Sequence, residues 1–220
     1  KGISCDNVQV DIVGGENLSV DFLAVNPRGV LPTLVLDDGT IIDESVAISR
    51  YFEELQPEPP LMGTDPISKA KIESRQRHLE LDGLLRAQEA FRNSFPGFAK
   101  RGLAGNVGEV VAIPELAERG KNRLAQFYND LNDYLAGNQY AAGDEFSIAD
   151  IAIFPWARAH RWGNIEVSDL KFLSRWFELM EDKDSVQRGI RVPTGEYPVA
   201  YSDVADLSDA TRRNSEKYEA

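Results

Sequence analysis

At 220 residues and 42% hydrophobic content, the chain can bury the core of one large domain or two small ones without disulfides or metal. Its 36 acidic and 24 basic residues leave a formal net charge of -12, which repels phosphate backbones and anionic bilayers and so argues against nucleic acid and membrane as partners. A single cysteine, Cys5, excludes an internal disulfide framework, and no apolar run approaches the ~18 residues a membrane-crossing helix needs, so a reducing, cytoplasmic setting is expected.

The first six apolar and polar residues to alternate, Val8-Gln9-Val10-Asp11-Ile12-Val13, predict a half-buried strand that Gly14-Gly15 breaks. Residues 18–25 predict a short helix ended at Asn26-Pro27, because the residue before a proline avoids the helical region. Residues 33–36 and 40–42 flank Asp37-Asp38-Gly39 and predict a hairpin. Ser45–Leu55 then sets Ile48, Tyr51, Phe52 and Leu55 at helical spacing on one face, with Arg50, Glu53 and Glu54 toward water. Prolines 57, 59 and 60 can continue neither helix nor ladder, which puts a domain linker at 56–60.

Composition turns helix-forming after the linker. Asp65-Pro66 reads as an N-cap with proline at the first helical position, opening a helix to about Asn93 whose apolar side holds Leu81, Leu84 and Leu85. A loop containing glycine, 95–111, leads to a second long helix, Pro114–Leu135, with Leu124, Phe127, Tyr128, Leu131 and Leu135 on one face. A third helix begins at Ser147, where Ser147 and Asp150 form a capping box, and a fourth groups Leu173, Trp176, Phe177 and Met180. The reading is thus a β-containing domain at 1–60, a helical bundle at 61–190, and a polar tail at 191–220 that wraps the surface or is partly disordered.

The most informative stretch is Asn26-Pro27-Arg28-Gly29-Val30-Leu31-Pro32-Thr33, followed eleven residues after Thr33 by Glu44-Ser45 at a helix start. A proline before a strand can be cis, which turns the main-chain groups of Leu31 away from the ladder and toward an extended peptide. Ser45 and the helix N-terminus offer a hydroxyl, amides and positive potential to a carboxylate, while Glu44 can accept from an ammonium group. Such a pair suits the α-amino acid end of a ligand. Either pattern alone has a purely structural reading, a strand start or a cap; the joint spacing carries the functional one.

These residues resemble the motif N-P-x-G-x-V-P and the E/D-S pair of the glutathione transferase family. Ala142-Gly143-Asp144 with the capping box resembles the capping motif of the same family's sixth helix, and Ile153-Phe154-Pro155-Trp156, with Arg158 to Trp162 after it, resembles its bacterial branch related to the nu class. The resemblance implies a two-domain α/β plus all-α fold: a thioredoxin-like N-terminal domain, whose first strand and helix are expected upstream of Lys1, and a C-terminal helical bundle. It implies glutathione as co-substrate, held by Leu31, Pro32, Glu44 and Ser45, with Val30 where a long polar residue often helps to hold the glycyl carboxylate; Arg28 is the substitute considered. The thiol-activating residue is expected upstream of Lys1, so no catalytic residue is assigned. A small electrophile as second substrate, a homodimer through residues 65–93 and 114–135, and no metal complete the expectation. Glutathione-dependent disulfide reduction, as in the nu class, and a non-catalytic binding module are the alternatives.

Other reactive side chains read as structural. Cys5 lies away from the expected thiol site, and His78 and His160 lack metal-ligand spacing. Trp156 and Trp162 read as core or interface packing, and Pro155 as a kink if it lies inside a helix.

Overall fold

Two short strands, β1 (Thr33–Val35) and β2 (Ile41–Asp43), pair antiparallel with Thr33 opposite Asp43, Leu34 opposite Ile42 and Val35 opposite Ile41. The hairpin turn is closed by Asp38, whose carboxylate accepts the Thr40 N–H at 2.8 Å. They belong to a computed structural model that describes residues 1–190, except Gln9 and the side chains of Trp162 and of residues 188–190. The tail expected at 191–220 lies outside the described residues.

The described residues of the strand expected at 8–13, Val8 and residues 10–13, do not form one. An alternating segment becomes a strand only where a neighbour completes its hydrogen bonds, and the only sheet among the described residues is the β1–β2 hairpin. Asp11 instead starts a turn: its carboxylate accepts the Gly14 N–H at 2.8 Å and its carbonyl accepts the Glu16 N–H at 2.8 Å. Val8 is left 85% exposed. A 3-10 turn, Glu16–Leu18, then feeds α1 (Val20–Val25), which starts two residues later than expected because Ser19 caps it, accepting the Phe22 N–H at 3.2 Å.

Helix α2 (Ser45–Leu55) follows the hairpin and packs on it. One of its expected solvent-facing residues turns inward. The Glu53 carboxylate accepts the main-chain N–H groups of Leu61 and Met62 at 2.8 and 3.1 Å and pairs with the Lys1 ammonium at 2.8 Å. Leu55, expected on the apolar face, is instead 59% exposed. The Leu61 carbonyl accepts the Ile148 N–H at 2.9 Å, so the residues following the prolines tie α2 to the helical half.

Asp65 and Ser68 form a capping box at the start of α3 (Pro66–Leu79). The expected continuous helix is interrupted by a π turn, Glu80–Leu84, before α4 (Leu85–Arg92). The extra residue in such a turn rotates everything downstream about the axis. Leu81 and Leu85 are therefore 40% and 38% exposed, and the buried face runs through Leu79, Gly83, Ala87 and Ala90. These small side chains let α5 (Pro114–Leu135) approach closely with its own Ala117 and Gly120.

The core matches the periodicity elsewhere. Leu124, Phe127, Tyr128, Leu131 and Leu135 of α5 are buried against α6 (Ile148–Ala157) and α8 (Lys171–Glu181), where Leu173, Trp176 and Met180 are fully enclosed. A short α7 (His160–Gly163) separates those two, and α9 (Asp184–Ile190) ends the described chain. The capping box at Ser147 is present, the hydroxyl reaching the Ala149 N–H at 3.3 Å and the Asp150 carboxylate the Ser147 N–H at 3.1 Å. Asp150 also accepts from the Ala141 N–H at 2.8 Å and the Trp176 indole at 2.9 Å, joining α6, α8 and the loop at Ala141 around one buried carboxylate. Pro155 lies inside α6, and Trp156 packs on the core edge.

Candidate functional site

The hairpin register decides what stands beside what. Because Thr33 faces Asp43 at the end of the ladder, the residues just before β1, Leu31 and Pro32, run alongside those just after β2, Glu44 and Ser45. Neighbouring strands are separated by about 5 Å, so the four expected ligand-holding residues share one end of the hairpin. The Leu31–Pro32 bond is cis. Neither the N–H nor the carbonyl of Leu31 has a partner among the described residues, and the residue is 36% exposed.

Across from it, α2 begins without a side-chain cap, and its first three amides, Ser45 to Ala47, have no described acceptor; the first helical bond is Ile48 N–H to the Glu44 carbonyl at 3.0 Å. The Ser45 hydroxyl has no described partner either. Glu44 holds φ at 66°, a left-handed conformation uncommon for a side-chain-bearing residue, which directs the chain abruptly from strand to helix. The result is an exposed main-chain donor and acceptor on one side, and on the other a helix N-terminus with a hydroxyl and a carboxylate. These groups fit an extended peptide ending in an α-amino acid.

Arg28 bears directly on this site. Its Nη1 donates to Glu44 Oε1 at 2.7 Å and to Asp43 Oδ2 at 2.9 Å, and the bonds to Glu44 first, then Asp43, raise the guanidinium pKa. The guanidinium thus lies on the acidic pair through a single nitrogen.

The loop preceding Pro32 is held by two asparagines. Buried Asn26 donates from Nδ2 to the Val30 carbonyl at 3.2 Å and to Thr33 Oγ1 at 2.9 Å, and accepts the Arg28 N–H at 3.0 Å. Buried Asn17 donates to the Gly29 carbonyl at 2.7 Å. Gly29 has φ of 63°, and a Cβ there would stand 2.9 Å from Leu18 Cδ2 and 3.1 Å from the Asn17 carbonyl oxygen. Only glycine fits without displacement. In the sequence Asn26 stands out as a helix end and as the first residue of the motif, but nothing there signals its hydrogen bonds or those of Asn17.

The helical half reaches the same loop. After α4 the chain crosses back: the Asn106 N–H donates to the Arg28 carbonyl at 2.7 Å, Arg101 donates to the carbonyls of Ile12 and Val13, and Val30 packs against Gly105. Val30 is thus half-buried under this crossing loop.

The remaining candidates fall outside the site. Cys5 is an exposed free thiol. His78 is exposed, whereas His160 is half-buried against Tyr128 and Phe177, with Nδ1 3.1 Å from the Ala157 carbonyl oxygen; burial lowers its pKa. Among the described residues no three His, Cys, Asp or Glu side chains converge as metal ligands, and no helix is long and apolar enough to cross a membrane. The Trp162 side chain lies outside the described residues.

Comparison with known proteins gives the family. Profiles described as Glutathione S-transferase, N-terminal domain, and Glutathione S-transferase, C-terminal domain, match residues 1–60 and 114–178. The chain is 28% identical over 186 residues to glutathione S-transferase 2 of Saccharomyces cerevisiae, covering 84% of this chain and 77% of that protein. Among solved structures it is similar to a class Gtt2 glutathione S-transferase of Vibrio parahaemolyticus, at 32% identity and a TM-score of 0.70, over 84% of this chain and 85% of that one. Gtt2 of Saccharomyces cerevisiae gives 29% identity and a TM-score of 0.72, over 82% and 85%. The chain belongs to the glutathione S-transferase family of enzymes, with that family's thioredoxin-like N-terminal domain and helical C-terminal domain.

Proposed function

We propose that the protein binds glutathione at the end of the β1–β2 hairpin and conjugates its thiolate to a small electrophile, whose leaving group or π bond takes up the displaced electron pair, a conjugation of the detoxifying kind. The observation that carries this reading is the register that sets the unpartnered main chain of Leu31 beside Glu44 and Ser45. Leu31 pairs with the cysteinyl main chain, next to Pro32 and Val30. The Ser45 hydroxyl and the first amides of α2 take the γ-glutamyl carboxylate, and Glu44 takes its ammonium group. A free thiol with pKa near ~8.5 is only slightly ionised at neutral pH, and lowering it by about two units, or ~2.7 kcal/mol, makes the reactive thiolate dominant. Transfer is favoured over disulfide reduction because the relatives above are named transferases. Residues 1–60 hold the tripeptide and 61–190 contribute to the second substrate's pocket, in a reducing, cytoplasmic setting.

The test is retention of the full chain on immobilised glutathione together with conjugation of an activated aryl halide. Both are expected, and Ser45→Ala should weaken retention several-fold. Retention without conjugation would establish the non-catalytic binding module instead, and absence of both would overturn the reading.

We also infer a homodimer. Support comes from the outer face of α3, where Ile67 is 68% exposed beside a groove of about 570 Å³ lined by Ala70, Ser74, His78 and Tyr134. Sedimentation at micromolar concentration should give twice the chain mass of 24.5 kDa, and a monomer mass would exclude it.

A further inference from the structure

The carboxylate proposed to receive the ligand's ammonium group already holds a cation. Arg28 Nη1 lies 2.7 Å from Glu44 Oε1 and 2.9 Å from Asp43 Oδ2, so one guanidinium bridges two acids at the mouth of the site. All three side chains are at least partly exposed, Arg28 at 58%, Glu44 at 61% and Asp43 at 30%, so the bridge is accessible to solvent and to ligand. Exposed pairs of this type are weak and exchange readily. An ammonium group arriving at Glu44 meets a resident positive charge within one side-chain width. Either Arg28 withdraws onto Asp43 alone, or it stays and repels the newcomer across a short distance.

Resting on the glutathione reading above, we propose that Arg28 is a specificity-determining residue that competes with the ligand's α-ammonium group for Glu44, Asp43 serving as the guanidinium's fallback. The competition lowers affinity for ligands bearing a free α-ammonium, and it discriminates less against ligands whose amine is blocked. The register makes the arrangement possible: Asp43 ends β2, Glu44 follows it, and the loop pinned by Asn26 brings Arg28 over both. A purely positioning role predicts the opposite sign, because an arginine that fixed Glu44 for the ligand would strengthen binding.

Calorimetric titration of the full chain and its Arg28→Met and Arg28→Lys variants with glutathione and with N-acetylglutathione separates these cases. Arg28→Met is expected to tighten glutathione about 3-fold, the size an exposed ion pair supports, and to leave N-acetylglutathione unchanged or weaker. Arg28→Lys, which retains the charge, is expected to behave as wild type. In 0.5 M salt the difference between wild type and Arg28→Met should shrink through screening. Weaker or unchanged glutathione binding in Arg28→Met, or equal tightening of the acetylated ligand, overturns the inference while leaving the glutathione reading standing. If neither wild type nor variants bind glutathione, the reading itself fails and the inference with it. Thermal melts of each variant establish that the fold is kept.

Discussion

Glu53 shows how a single residue acquires a role its helical position does not announce. Its place on α2 predicts a solvated carboxylate, yet it accepts two main-chain N–H groups from residues 61 and 62 and the Lys1 ammonium. Burial by itself raises its pKa, but the Lys1 bond and the Leu61 and Met62 amides outweigh that, and the carboxyl lies below its usual value. A depressed pKa contributes stability that is complete above the unfolded carboxyl value of ~4.3 and is lost as pH falls through the lower folded one. Glu53→Gln should therefore cost about 1–2 kcal/mol at neutral pH, in line with charged hydrogen bonds. Urea unfolding across pH should show that deficit narrowing as wild type loses its own contribution in acid. A deficit constant from pH 7 to 3 would contradict the account. Among the residues proposed to hold the ligand, by contrast, the cis bond at Leu31–Pro32 and the helix start at Ser45 could be anticipated from local sequence, the first because a proline restricts its own backbone whatever the tertiary context.

Elements were legible where large apolar side chains carry the pattern and illegible where small residues or missing partners do. The α5 face and the Leu173, Trp176, Met180 group of α8 are buried as their spacing predicts. The interruption of the α3–α4 run was not visible in the apolar pattern; it falls where Gly83 meets another helix closely, a Cβ there standing 2.6 Å from Phe127 Cζ. The alternation misled at Val8 and at residues 10–13 for the complementary reason, since a strand is a property of its neighbours as much as of its own sequence. Gly83→Ala tests the contact. Alanine is favoured over glycine in a helix by ~1 kcal/mol, but overpacking a closed core costs typically about 1–3 kcal/mol. The expected outcome is a net loss of about 1–2 kcal/mol by urea denaturation. A more stable variant would show that the ring moves freely and that the close approach does not set the π turn.

At the scale of the whole molecule, the two halves are joined around the candidate site by three separate links. Leu61 connects α2 to α6, Asn106 holds the Arg28 carbonyl, and Arg101 grips the Ile12 and Val13 carbonyls. The loop that precedes Pro32 is thus steadied from the helical side as well as by Asn17 and Asn26. A groove so held is pre-organised, which reduces the ordering cost of binding a flexible tripeptide. The change in composition at residues 56–60 is where the sequence suggests a division; the crossing loop was not legible, because its links to the first half all end on main-chain carbonyls, which any sequence provides. The most direct measurement of the central claim is a titration of the isotope-labelled full chain with glutathione, followed by amide NMR. The account predicts saturable shifts concentrated at Leu31 and at Ser45, Val46 and Ala47, the donors around the hairpin end. Shifts confined to other surfaces, or none at millimolar ligand, would contradict it.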